Sequence, residues 1–449
     1  ALRSLTLPAR LASVGSYAFH GCDRLKSVVS LAKKPPLAFD ETFDSCPALV
    51  RIEVPSGSVN AYRAAPGWDL RKEAVIGIPA PDDATTRAYL TFTPIKDGAE
   101  CAVARGRYGP SGDLVIPDRY QSMKVTAVAD SAFEGCERLR SVTLPECVAS
   151  IGKAAFAGCV RLERVTLPPH LDSIGAYAFD YCSSLRDITL PDSVVSVGNH
   201  AFDSCSALKE IALPSLARSI GAGVFYRCYG LKSARLPAGI DSVPDEIFGG
   251  CESLSSIAIP PSVTRIEDYA FEGCSSLRDV VLPPRLAAIG QAAFGNCSSL
   301  SRVSLPESLA SIGSCAFSGC VGLSSITIPA RVTVLEDLVF SSCSSLVSVT
   351  LPPNLTAIGN ESFLDCDALR SVDIPARVKS VGSWAFCNCA SLTRVTMPSG
   401  LTDLADNAFM NCVSLKGVKI PPDLTPRVEE TLEKLNEAML NMDNSLVSP

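Results

Sequence analysis

Histidine is nearly absent from this chain, with three residues among 449. That scarcity removes the commonest metal ligand and the usual general base from most of the molecule. Aromatic residues are only 6% of the chain, with two Trp. Base is not in excess either: 40 Lys and Arg stand against 47 Asp and Glu, a formal net charge of −7. A nucleic-acid partner, which needs a basic surface, is therefore not expected. No apolar run approaches the roughly 18 residues that a membrane-crossing helix requires. Ala1 to Gly15 lacks the basic start and apolar core of an export signal. The chain opens instead inside a patterned segment, ALRSLTLPARLASVGSYAFHGC, and reads as a fragment of a longer protein. No nucleophile elbow, phosphate-binding loop, dinucleotide fingerprint or HExxH motif occurs.

Cysteine and proline are plentiful, at 19 and 32 residues, and 47% of the chain is hydrophobic, enough for a folded core. The cysteines reveal the organisation. From Cys136 to Cys412, thirteen of them recur every 23 residues, and Cys22 and Cys46 follow a similar pattern 24 apart. Each of these fifteen has a Phe three residues before it and a Leu three residues after it. Each of the thirteen has a Pro nine residues after it, from Pro145 to Pro421. Leu162–Cys182, LERVTLPPHLDSIGAYAFDYC, is a clean copy of the unit.

A unit this short cannot bury its own apolar face, so successive units must stack as a solenoid. Val165-Thr166-Leu167 alternates in, out, in and reads as a short strand. Pro168 ends it, because proline has no N–H for the ladder. Equivalent strands should form one parallel sheet, roughly 60 Å long over thirteen turns at the usual strand spacing. Leu171 and Ile174 should point inward from a second edge, Gly175 should permit a tight corner, and the Phe column should form an interior aromatic spine. Pro244, Glu267 and Glu336 take the glycine position in three turns. The fold class expected is an α/β-type or mostly β solenoid of 23-residue repeats with short parallel strands, a β-hairpin N-cap and a C-terminal helix.

The LPxxLxxIGxxAFxxCxxL frame resembles the BspA-like, or Treponema pallidum type, leucine-rich repeats over Leu2–Pro55 and about Ser131–Pro421. Ile52–Gly77 resembles the closing segment of such arrays in Bacteroidetes. The resemblance implies a secreted or cell-surface protein used in adhesion and host or microbial contact.

Five regions are expected. Residues 1–78 are the end of a first array with a cap containing Trp68, and 79–87 are a Pro-rich linker. Residues 88–130 hold a hairpin cap, YLTFTPI and AECAVAR around Lys-Asp-Gly, followed by a degenerate first turn at Leu114–Pro117. Residues 131–421 are the second array. Residues 422–449 hold a helix with Thr425 as N-cap, Pro426 at the first position, and Val428, Leu432, Leu435, Met439 and Met442 at helical spacing. It is expected to cap the last turn, with self-association as the alternative; a monomer is favoured.

One inward cysteine per turn suits packing better than bridging, so reduced thiols behaving as small apolar groups are expected. Cys101, Cys147, Cys315 and Cys387 break the register. His20, His170 and His200 fall at different phases, the last two on surface loops. No cofactor, metal site or catalytic constellation is expected. The remaining candidate is the outward face of the strands. Its first position mixes charge with serine and includes Arg164, Asp187, Glu210, Asp279, Arg302 and Arg394. Its second is hydroxyl-rich and includes Thr166 and Thr189, interrupted by Arg235 and Asp373. Such a face can be an ordinary solvated β surface or a recognition surface for a protein or peptide, glycans being less favoured because few aromatics lie on it. The expected function is a non-enzymatic interaction or adhesion module, and the alternative is a spacer within a larger envelope protein.

Overall fold

The structure, a computed structural model, describes residues 2–8, 10–55, 58–78, 89–419 and 426–445. The linker expected at 79–87 and the N-cap Thr425 lie outside the described residues. The chain divides into two compact units. One comprises Ala1–Cys101, Arg105–Tyr108 and Arg119–Lys124; the other comprises Ala102–Ala104, Gly109–Asp118 and Val125–Pro449.

In the first unit, strands Ser4–Leu7, Ser27–Ser30, Arg51–Pro55 and Val75–Ile78 form a parallel sheet in chain order. Phe19 stacks on Phe43 at 5.6 Å, and Trp68 takes the next place, 5.2 Å from Phe43. Tyr62 meets Trp68 edge-on at 5.0 Å. Both polar tips are satisfied: Trp68 Nε1 donates to the Pro36 carbonyl at 2.9 Å and Tyr62 Oη to that of Ala32 at 2.9 Å. The aromatic column thus closes on a residue too wide to repeat, which blunts the end of the stack.

In the second unit each coil contributes two short strands rather than one. Arg164–Thr166 and its equivalents make one parallel ladder, and Ser173–Ile174 and its equivalents make another on the second edge. Register is one to one, as in Val142 opposite Val165 and Ile151 opposite Ile174. The single sheet expected from the Val-Thr-Leu segment is therefore joined by a second. Neither ladder is unbroken; at Asp187 the first shrinks to an isolated bridge with Arg164.

A third row of hydrogen bonds runs along the turn that carries Phe and Cys. There Ala154, Phe156 and Gly158 donate to the carbonyls of Ala176, Ala178 and Asp180, each at 2.8 Å. Inside, Phe133 to Phe409 stack at 5.1–5.7 Å with interplanar angles of at most 19°. Every Phe from Phe133 to Phe386 is fully buried. This is the interior spine that the repeat pattern implies.

The glycine column works differently from the expected corner. Gly175 has no left-handed φ; a Cβ on it would lie 2.6 Å from the Gly152 carbonyl carbon of the preceding coil. On Gly198 it would lie 2.3 Å from the Ala176 nitrogen. These glycines let one backbone pass against the next. The left-handed conformations stand two residues later, as at Tyr177 (φ 59), and just before each ladder cysteine, as at Tyr181 (φ 55). The pre-cysteine position is Gly, Asn, Ser or Asp in eleven of thirteen coils, residue types that tolerate this conformation.

The ends are closed as the fold class anticipates. The hairpin Leu90–Ile95 and Glu100–Arg105 turns through Lys96, Asp97 and Gly98, all with positive φ. Ala129 N–H donates to the Val103 carbonyl at 2.9 Å, tying the hairpin's second strand to the start of the coils. Strand Gly112–Val115 begins the first ladder beside Leu139–Thr143. At the other end, the helix Pro426–Ser445 buries Val428 and Leu432. Its Asn436 side chain accepts from Val418 N–H at 2.8 Å and donates to Val418 C=O at 3.1 Å, completing the backbone groups of the last coil.

Candidate functional site

The strand that follows each Leu alternates because its middle residue enters the core and its neighbours face solvent. All ten candidate residues, Arg164, Thr166, Asp187, Thr189, Glu210, Arg235, Asp279, Arg302, Asp373 and Arg394, are exposed. Strand pairing aligns Arg164 beside Asp187, Asp279 beside Arg302, and Asp373 beside Thr396.

At two places these charges neutralise one another. Arg164 Nε donates to Asp187 Oδ2 at 2.8 Å. Arg394 reaches Asp373 at 3.0 Å, and Thr396 Oγ1 donates to the same carboxylate at 2.7 Å. The Thr396 hydroxyl, then the Arg394 charge, hold Asp373 below the usual carboxylate range. Between them, Glu210, Arg235, Asp279 and Arg302 make no ion pair within 4 Å among the described residues. The second position is less uniform than its threonines suggest: Ala212, Ala258 and Val281 occupy it in three coils, Val281 at 82% exposure.

All 19 cysteines are thiols. Those from Cys159 to Cys412 in the ladder are buried, but they are more than apolar filler. Each thiol donates to the carbonyl of the Phe 26 residues earlier, at 3.1–3.3 Å. Burial pushes the ladder thiols from Cys182 to Cys366 up, Cys320 to about 12, which disfavours the reactive thiolate. Of the out-of-register cysteines, Cys147 and Cys315 are half-buried, and Cys147 donates to the Val125 carbonyl at 3.2 Å. No group of three or more His, Cys, Asp or Glu among the described residues could hold a metal ion.

His200 lies in a turn, as expected, but is not free on the surface. Its ring is half-buried and stacks on Tyr177 at 5.2 Å and 8°, and Nδ1 lies 3.1 Å from Asp203 Oδ2. Asp203 also accepts from Ser204 Oγ at 2.8 Å. One coil away, Asp180 has a buried Oδ1 with no hydrogen-bond partner. Burial, reinforced by the neighbouring Asp203, raises Asp180 to about 6. Sequence reading missed this cluster because its members stand in different columns of the repeat. A usable signal was the run of Tyr177, Tyr181, His200, Tyr226 and Tyr229 in a chain with ten Tyr.

The BspA type leucine rich repeat region matches this chain at residues 1–64 and in three overlapping stretches at 126–255, 218–347 and 310–436. A leucine-rich repeat protein from Bacteroides ovatus is 28% identical with a TM-score of 0.65, covering 77% of this chain and 96% of its own. A leucine rich cell surface protein from Faecalibacterium prausnitzii is 25% identical with a TM-score of 0.52 at the same coverages. The leucine-rich repeat protein of T. pallidum is 30% identical over 49% of this chain and 89% of its own, with a TM-score of 0.40. No curated protein matches.

Proposed function

Because the chain belongs to the BspA type leucine-rich repeat family, we propose that it is a non-catalytic interaction module, displayed at a cell surface, that holds a protein or peptide partner against its first strand ladder. The observation that carries this reading is the run of unpaired charge in the middle of a rigid, registered face. Glu210, Arg235, Asp279 and Arg302 project from strands locked one to one, so their spacing is preset and little ordering entropy is lost on binding. Such charges give specificity and steering more than raw affinity. Cell-surface display is supported by the cell-surface protein of F. prausnitzii among the similar structures.

The test is binding of the full chain to immobilised extracellular-matrix proteins and glycans. A protein ligand should emerge, and the double variant Arg235→Glu, Arg302→Glu should weaken it at least about tenfold, while Arg164→Ala should do less because Asp187 already occupies that arginine. Failure of every protein to bind would favour the spacer reading. A ligand indifferent to the double variant would remove this face from consideration.

A further inference from the structure

The second unit segregates its charge across each coil. Consider the eight residues running from six before each ladder cysteine to one after it, over the thirteen coils from Asp130 to Val413. These turn segments hold fifteen Asp and Glu but two bases, Lys153 and Arg227. The remainder of 130–413 holds thirteen acids and eighteen bases. The edge that carries Phe and Cys inward is therefore acidic outward, although the whole chain is only mildly so.

Acid alone does not define a ligand, and several of these carboxylates have structural work. Asp245 and Asp268, for example, accept from the backbone N–H of the next coil at 3.1 and 2.7 Å. The edge is distinctive where tyrosine coincides with acid. Five of the ten tyrosines fall in the five segments between 176 and 275, with seven acids and one base. Tyr177, Tyr181, Tyr229 and Tyr269 are each at least 36% exposed.

Room has been made for rings here. A Cβ on Gly223 would lie 2.4 Å from His200 Cε1, and one on Gly249 would lie 2.8 Å from the Tyr226 ring. The edge already demonstrates what these rings accept: Arg227 Cζ sits 4.9 Å from the centre of Tyr226. Tyr181 and Tyr229 have no ring stacked on them and no cation over them among the described residues. Tyr181 follows Asp180 in its own turn, and Tyr229, whose turn holds Arg227 and no acid, stands in the same column as Glu252 of the next coil. Open tyrosine rings near carboxylates attract guanidinium and ammonium groups by both quadrupole and charge.

We propose that this tyrosine-rich acidic edge, centred on Tyr181 and Tyr229, docks a lysine- and arginine-rich segment of another protein. It is a second surface, separate from the first strand ladder, whose unpaired charges Glu210, Arg235, Asp279 and Arg302 are of both signs.

The test is fluorescence anisotropy of a labelled peptide of alternating Arg and Ser, with its Glu-for-Arg counterpart, on the full chain. The Arg peptide should bind, the Glu peptide should not, and affinity should fall between about 50 and 300 mM salt. Tyr181→Ala with Tyr229→Ala should weaken the Arg peptide about tenfold, and the paired Phe substitutions, which keep both rings, should not. Arg235→Glu with Arg302→Glu should leave it unweakened, so failure of the strand-face reading is seen separately. Absence of binding to the intact chain would overturn the proposal. So would binding that survives both alanines in a variant of unchanged melting temperature, which would mean diffuse attraction to acid alone.

Discussion

Two stretches of the same solenoid stack at different pitch. From Phe133 to Phe202 the ring centres are 5.1–5.2 Å apart, whereas each step from Phe202 to Phe271 is 5.7 Å. The rings are Phe throughout, so they do not set the difference. What changes is the residue before each Phe. It is Ala at 132, 155, 178 and 201, but Val224 and Ile247 in the wide stretch. Beyond it the step into Val339 is again 5.7 Å, and the Phe363–Phe409 steps, which involve only Ser362, Ala385 and Ala408, return to 5.1 Å. In the same wide stretch Pro244 and Glu267 replace the glycine that elsewhere lets backbones touch. Over the whole spine, steps between two small residues span 5.1–5.5 Å, Phe294–Phe317 being the widest, and steps that involve Val or Ile span 5.5–5.7 Å, so bulk in this column accounts for the widest spacings.

The largest expected effect should not discriminate between the stretches. Phe179→Ala and Phe248→Ala each remove a fully buried ring and should each cost about 3–5 kcal/mol, read as loss of unfolding free energy in denaturant. A loss below about 1 kcal/mol at Phe248 alone would show that the wide stretch does not depend on its spine.

The glycine column should separate them. Gly175→Ala puts a methyl group 2.6 Å from backbone that has nowhere to move and should cost about 3 kcal/mol. Glu267→Ala, at the same column in the wide stretch, should stay within about 0.5 kcal/mol apart from the lost Arg265 pair, which is exposed. Equal costs would mean that the glycine is not what permits the closer pitch.

The thiol ladder should be insensitive to pitch. Cys182 reaches the Phe156 carbonyl at 3.2 Å in the tight stretch, and Cys251 reaches that of Phe225 at 3.1 Å in the wide one. Replacing either by Ala should cost about 1–2 kcal/mol, from a small void and one lost weak hydrogen bond. In the native protein both should resist alkylation at pH 8, when Cys315 reacts, as read by mass spectrometry; labelling of Cys251 alone would show that the wide stretch opens.

Much of this was legible without coordinates. The 23-residue spacing of Cys, Phe, Leu and Pro announces the stacking, and Val165 between Arg164 and Thr166 announces a strand with one buried face. Three features were not. The steric need for Gly175 belongs to Gly152, which is 23 residues away, and is invisible within one unit. The left-handed residues after that column include Tyr177, Ala154, Leu338 and Trp384, which share no side-chain chemistry; tertiary packing imposes the conformation against local preference. The neutralised charges at Arg164 and Asp187 sit in successive units, so a column-by-column reading records two candidates where the structure holds one ion pair.

The smallest effect follows from the tight pitch itself. Where Phe179 and Phe202 are 5.1 Å apart, the next residue in each coil is a carboxylate, Asp180 and Asp203; in the wide stretch those places are Tyr226 and Gly249. Close approach thus sets two acids together and buries one oxygen of Asp180 unpaired, with its carboxyl raised to about 6 from 3.8. A carboxyl raised in the folded state binds its proton more tightly there than in the unfolded chain. Ionising it therefore costs stability, and the cost grows as pH climbs from about 4 to about 6 and is constant above. The gross shift corresponds to about 3 kcal/mol, reduced to about 1 kcal/mol because the side chain remains partly solvated. Asp180→Asn should accordingly raise the melting temperature at pH 7.5 and lose that advantage below pH 4. Wild type and variant running parallel across that range would mean that ionised Asp180 is already compensated by His200 and the Tyr181 backbone, and that the tight pitch carries no electrostatic cost.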